Sequence, residues 1–224
     1  DDLVSNGEIL SYCFDDCMKR IYIGDTNGNV KNFNMSNGDL IKNFPSHKKE
    51  IVNVLHSKKE NILISLSSDM LMRFNNDTEL LKTNVIKEIS LNEMMIKDIN
   101  LDEANSMLVI GTSKGSVMFY DISRFRFDSE MEDKKVIQKE KERRKSAIDF
   151  IVKYDPITKI IFIKEINCVF LSQESSKMKF VTSPFNKIST KENNHLLIEF
   201  CYSKNETGPL EAISYNKELK QLYT

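Results

Sequence analysis

Three histidines, His47, His56 and His195, are the side chains of this chain best suited to move a proton or hold a metal ion near neutral pH. They are scattered, and no His-x-x-x-His or Cys-x-x-Cys pair stands beside them to complete a zinc site. Cys13-x3-Cys17 brackets a turn and lacks a second pair, so both are read as small apolar residues. Asp25-x-Asn27-Gly28 has the opening of a calcium loop, but Ser36 stands where the bidentate glutamate is needed, which leaves a turn. Asp15, Asp102 and Asp155 could be read as an acidic site. They occupy one place in a recurring phrase, where the next copy has Asn216, and that pattern favours turn formation. There is no G-x-x-x-x-G-K-[ST] phosphate loop and no G-x-S-x-G nucleophile turn. The expectation is a protein that is not an enzyme and uses no metal, cofactor or small-molecule substrate.

The recurring phrase is the main signal. Tyr12-x-Phe14-Asp15 is followed by Ile21-Tyr22-Ile23-Gly24, and Ile99-x-Leu101-Asp102 by Leu108-Val109-Ile110-Gly111, without a gap. A looser copy is read at Val152-x-Tyr154-Asp155 with Ile161-Phe162-Ile163, and a last one at Ile213-x-Tyr215-Asn216 with Leu222-Tyr223-Thr224. Alternation in these runs gives strands, and Asp25-Thr26-Asn27-Gly28 and Asn37-Gly38 give tight turns. In the second unit Ile62–Ser65 takes the second strand and Leu71 to Asn75 the third, while Val52 and Val54 sit one position out of register. Four antiparallel strands in roughly 40 residues make one propeller blade. An all-β sandwich shows the same alternation, but not one phrase at near-constant spacing.

The expected units are residues 9–50, 51–95, 96–127, 148–207 and a truncated 208–224. Residues 128–147 are read as a charged insertion, with a fourth strand at Lys135-Val136-Ile137, and residues 173–208 as a loop-rich insertion. Met178–Val181 and His195–Tyr202 read as additional strands within the latter. The turns after the second strands are expected on one face, which makes Asp25, Thr26, Asn27, Ser68, Asp69, Ser113 and Lys114 candidate partner contacts. Arg143, Arg144 and Lys145 are candidates on the charged segment. Ser146, which follows them, has the form of a basophilic-kinase site; the plainer reading is a charge run that ends in serine.

Composition bounds the rest. With 224 residues and 40% hydrophobic content the chain can bury a sizeable core. A formal net charge of -1 supplies no field toward nucleic acid or a membrane, and basic residues are interleaved with acids. No run of about 18 apolar residues occurs, so no transmembrane helix is expected. Four irregularly spaced cysteines suit a reducing, cytoplasmic compartment. The sequons at Asn34, Asn76 and Asn205 are read as chance in an Asn-rich chain.

On these residues the chain resembles the WD-repeat family. Tyr120-Asp121, with Phe33-Asn34 and Phe74-Asn75, stands for the family's Trp-Asp, and Ser46-His47 for its Gly-His. The likeness covers Ser11 to about Phe127 and is loose from Ala147. Tyr22 to Phe33, Asn37-Gly38 and His47-x-x-Glu50-Ile51 look like the large WD-repeat proteins of motile cilia and flagella, some of which carry EF-hands that this segment lacks. The resemblance implies an all-β fold, an incomplete propeller of about four to five blades, with the missing strands elsewhere in the same protein. It implies a non-catalytic scaffold of the axoneme whose partners are other axonemal proteins, not nucleic acid or membrane. A substrate receptor of a ubiquitin-ligase complex or a trafficking-coat propeller is the alternative.

Overall fold

The computed structural model describes residues 7–79, 82–91, 96–126, 147–151, 155–163, 168–175, 177–182, 196–201, 214–216 and 218–223. They fall into two compact units. In the first, β1 (Ile9–Phe14), β2 (Arg20–Asp25), β3 (Val30–Asn34) and β4 (Leu40–Asn43) form one antiparallel meander. A second is formed by β5 (Ile51–Ser57), β6 (Ile62–Ser67), β7 (Leu71–Asn76) and β8 (Val85–Ser90). A 3-10 turn, Ser123–Arg126, belongs to this unit and sets Phe125 edge-on to Phe74, with centroids 4.7 Å apart.

In the second unit, β9 (Ile96–Asp102), β10 (Met107–Thr112), β11 (Ser116–Asp121) and β12 (Ala147–Ile151) form a third sheet. β13 (Ile157–Ile163), β14 (Cys168–Gln173), β15 (Lys177–Thr182) and β16 (Leu196–Cys201) form a fourth. β17 (Ser214–Asn216) and β18 (Gln221–Tyr223) pair as a hairpin. The described residues contain no α-helix. The fold is all-β.

Strand placement corrects the reading of the later chain. Ala147–Ile151 pairs with β11 and is the fourth strand of the third sheet, the role expected of Lys135-Val136-Ile137, which lie outside the described residues. Ile161-Phe162-Ile163 lies in the first strand of the fourth sheet, not the second. The fourth sheet therefore begins at Ile157 rather than 148, and within residues 173–208 the strands β15 and β16 are regular members of it. The charged segment misled the count by separating β11 from its partner strand. A smaller slip is in the second sheet. Register places Asn75-Asn76, not Phe74-Asn75, opposite Leu63-Ile62, where Phe33-Asn34 stands opposite Ile21-Arg20.

Each sheet carries the same irregularity. The second residue of the first strand is bulged out of the ladder: Leu10, Val52, Lys97 and Thr158. This accounts for the register of Val52 and Val54. The extra residue lets Ile51 and Val54 both turn inward, at 0% and 1% exposure, while Val52 is left at 41%. Burying each such side chain contributes about 1.5–3 kcal/mol.

The turns between second and third strands also repeat. The last residue of the second strand closes each one onto the residue four positions on. Asp25 Oδ1 accepts the backbone N–H of Asn29 at 2.8 Å, Ser67 Oγ lies 3.2 Å from the Leu71 carbonyl, and Thr112 Oγ1 accepts the N–H of Ser116 at 3.0 Å. The residue three positions on has positive φ each time: Gly28 at 81°, Met70 at 61° and Gly115 at 77°. Glycine adopts that conformation without strain; methionine does not.

Consecutive sheets within each unit meet in one way. Ser11 Oγ, just past the first bulge, accepts the backbone N–H of Val54 at 3.0 Å, and Asp98 Oδ2 accepts that of Ile160 at 2.7 Å. The glycine of the recurring phrase lies at this joint. A Cβ on Gly24 would stand 2.3 Å from Ile51 Cγ2, and one on Gly111 2.6 Å from Ile157 Cγ2. Around the joints lie two cores, Tyr22, Val30, Phe44, Ile51, Val54 and Leu63 in the first unit, and a larger one about Val109, Phe119, Ile157, Ile160 and Val169 in the second.

Candidate functional site

The turns of the first two sheets converge on one open groove of about 540 Å³. Thr26 and Asn27 line it from the β2–β3 turn, and Ser68 and Asp69 from the β6–β7 turn. Lys48, Lys49 and Glu50, from the connection that carries the chain from β4 to β5, form the rest of the wall. The loop is held in place by backbone as well as side chains. The N–H of His47 donates to the Gly28 carbonyl at 2.8 Å, and that of Ser68 to the Glu50 carbonyl at 2.9 Å. Arg73 Nη1 donates to the Pro45 and Ser46 carbonyls at 2.8 and 3.1 Å.

His47 is a brace under this groove. Its ring is buried, with Nε2 2.8 Å from Ser65 Oγ. Burial, seconded by the charge of Arg73, pushes its pKa down to about 4, so the ring is neutral at physiological pH. Asp69 is exposed and accepts from Ser67 Oγ. That hydrogen bond, first among the causes, holds its carboxyl below the ordinary value, so the groove keeps this negative charge beside Lys48 and Lys49.

Among the other predicted contacts, Asp25 is 1% exposed and spends both carboxylate oxygens on Asn27 and Asn29, which makes it a turn builder and not a contact. Thr26 is half-buried and accepts from the Glu8 N–H at 3.0 Å; Asn27 is exposed. Ser113 and Lys114 occupy the corresponding turn of the second unit, Lys114 exposed and Ser113 half-buried. Arg143, Arg144, Lys145 and Ser146 lie outside the described residues. Nothing local in the sequence marks Lys48, Lys49 and Glu50 as site residues, because their loop is brought to the turns by tertiary backbone bonds, His47 to Gly28 and Ser68 to Glu50.

A second polar cluster, unseen in the sequence, lies between the first two sheets. Asp77, just after β7, receives Tyr22 Oη at 2.7 Å, Arg20 Nη1 at 3.2 Å and Lys42 Nζ at 3.3 Å, with His56 Nε2 at 3.3 Å. Tyr22 and His56 stack with centroids 4.7 Å apart. Burial alone would raise the Asp77 carboxyl. The adjacent His56 ring, the hydrogen bond from Tyr22 and the charges of Lys42 and Arg20 outweigh it and hold the carboxyl below its ordinary value. The partners Lys42, Tyr22 and Arg20 lie 35 to 57 residues away in sequence, so no local pattern announces them.

The remaining acidic positions divide. Asp15 Oδ1 caps the β1–β2 turn through the N–H groups of Lys19 and Arg20, Asp102 Oδ1 caps the β9–β10 turn, and Asn216 Oδ1 caps the β17–β18 turn. Asp155 does not belong with them. It precedes β13 and binds Ser175, and register gives its expected place to Ile163. Cys13 is packed into the first core and burial pushes its thiol up to about 12, whereas Cys17 is exposed. The sequons at Asn34 and Asn76 are also turn closers, accepting the N–H of Ser36 at 2.9 Å and of Thr78 at 3.0 Å. Among the described residues, no group of three or more His, Cys, Asp or Glu is placed to hold a metal ion, and no helix is long and apolar enough to cross a membrane.

No protein-family model matches the chain. It is 24% identical over 221 residues to the cilia- and flagella-associated protein 337 B of Tetrahymena thermophila. The alignment takes in 97% of this chain and 16% of that relative, so the chain spans about a sixth of its length.

Proposed function

We propose that this chain contributes consecutive blades of a WD-repeat β-propeller, and that it serves as a non-catalytic protein–protein scaffold in the axoneme of a cilium or flagellum. The observation that carries the ciliary part is the alignment with a cilia- and flagella-associated protein over 97% of the chain. The propeller part is supported by the repeated joint. Two pairs of four-stranded meanders meet through the same bulge, the same glycine and the same side-chain-to-backbone bond. A repeated joint between identical units is what stacks sheets about an axis.

The scaffold reading rests on the groove. Its wall mixes exposed cations and anions on turns fixed by backbone hydrogen bonds, which suits recognition of another protein by charge and shape. Axonemal proteins are its partners in this reading, and no chemistry is done there. The test is charge reversal in the intact polypeptide at Lys48 and Lys49. Partner affinity measured by co-precipitation should fall about tenfold or more, as for contacts near the centre of an interface, with the melting temperature unchanged. Unaltered affinity would remove the groove as the contact.

A further inference from the structure

The outer face of the first sheet is built like the buried side of a joint, yet nothing among the described residues covers it. In the second sheet, Ile51, Val54 and Leu63 point to the first sheet and are 0%, 1% and 0% exposed. In the fourth, Ile157, Ile160 and Val169 point to the third and are 0%, 2% and 0% exposed. The bulges fix which residues correspond in the first sheet: Ile9, Tyr12 and Ile21. Ile9 is 52% exposed, Tyr12 is 61% exposed and Ile21 is only half-buried. Phe14, at the place of His56, is 41% exposed and packs edge-on against Tyr12 at 5.6 Å.

We infer that this face is a docking surface for one more four-stranded sheet of the same polypeptide, with glycine or another small residue where Gly24 and Gly111 stand. Three features select that occupant. The apolar positions are those that the joint uses twice elsewhere in the chain. The bulge at Leu10 is present, and its task in the other sheets is to turn two apolar residues toward a neighbouring sheet. In both observed joints the two sheets follow one another in one chain, separated only by the short stretches after Asn43 and after Ile151. Exposed Ile9, Tyr12 and Phe14 on one sheet face, with Tyr12 and Phe14 in contact, are the kind of apolar surface that marks an interaction site.

The inference deepens the propeller reading but does not need a closed ring. Hydroxyl-radical footprinting of the purified intact polypeptide, with Tyr12 and Phe14 followed by mass spectrometry, tests it. In the native protein Tyr12 should oxidise about tenfold or more slower than in urea, as should Tyr22, which is fully buried. Dilution should leave that protection unchanged. Oxidation of Tyr12 near its unfolded rate overturns the inference. Protection that is lost on dilution also overturns it, because a second copy would then be the cover. An image of the intact polypeptide showing Tyr12 covered by a sheet in a non-radial array would keep the inference and remove the propeller.

Discussion

Asp98 accepts the backbone N–H of Ile160 at 2.7 Å, and so ties the first strand of the third sheet to that of the fourth. Burial raises its carboxyl above the ordinary value, outweighing the hydrogen bond and the charge of Lys159. The fold therefore favours the protonated acid, and this contribution to stability declines as pH rises through the raised value. Asp98→Asn keeps an acceptor and removes the charge. It should be more stable than the parent at pH 7 in urea unfolding, by a margin that shrinks below the ordinary carboxylate range. Asp98→Leu leaves the Ile160 N–H unpaired and should cost about 1–3 kcal/mol.

The His47 ring gives the opposite sign. Its folded pKa of about 4 lies below the unfolded 6.5, so its stabilising contribution is complete above 6.5 and is lost as pH falls toward 4. Unfolding free energy should drop by about 2 kcal/mol between pH 7 and pH 5 on this account. His47→Gln should flatten that slope, which paired urea titrations at the two pH values would read.

Gly111 faces Ile157 Cγ2 and Ile160 Cδ1 so closely that an added methyl must displace both. Gly111→Ala, and Gly24→Ala against Ile51, should each cost about 1–3 kcal/mol as overpacking at the joint. Thermal unfolding of each variant checks this.

Met70 stands in a left-handed turn position where the matching turns have glycine. Met70→Gly should relieve that strain and raise stability by about 1 kcal/mol, a gain visible as a higher urea midpoint.

Asp77 neutralises buried Lys42 and receives Arg20. Asp77→Ala should cost about 3–5 kcal/mol because it leaves the lysine uncompensated. Adding Lys42→Met should recover part of that loss in a double-mutant cycle.

What the sequence revealed follows from the range of the interactions. The phrase Tyr12–Gly24 and its copy Ile99–Gly111 were readable because strand period, turn chemistry and the joint glycine are all local in sequence. The same holds for the caps at Asp15, Asp102 and Asn216. The third copy, with Ile161-Phe162-Ile163, differs from the structure because 25 residues separate β11 from β12, and because that run is apolar enough to suit either strand. The turn residues Thr26, Asn27, Ser68 and Asp69 were legible as surface. Their groove was not, since Lys48 and Lys49 reach it only through tertiary hydrogen bonds. Asp77 was invisible for the same reason: its partners come from three other strands.

The central claim is that this repeat is a fixed part of a ciliary framework. The most direct test is the share of the intact polypeptide that stays with demembranated axonemes through a high-salt wash. The account predicts that most of it remains in the axonemal pellet. Recovery of most of it in the detergent-soluble fraction would contradict the account.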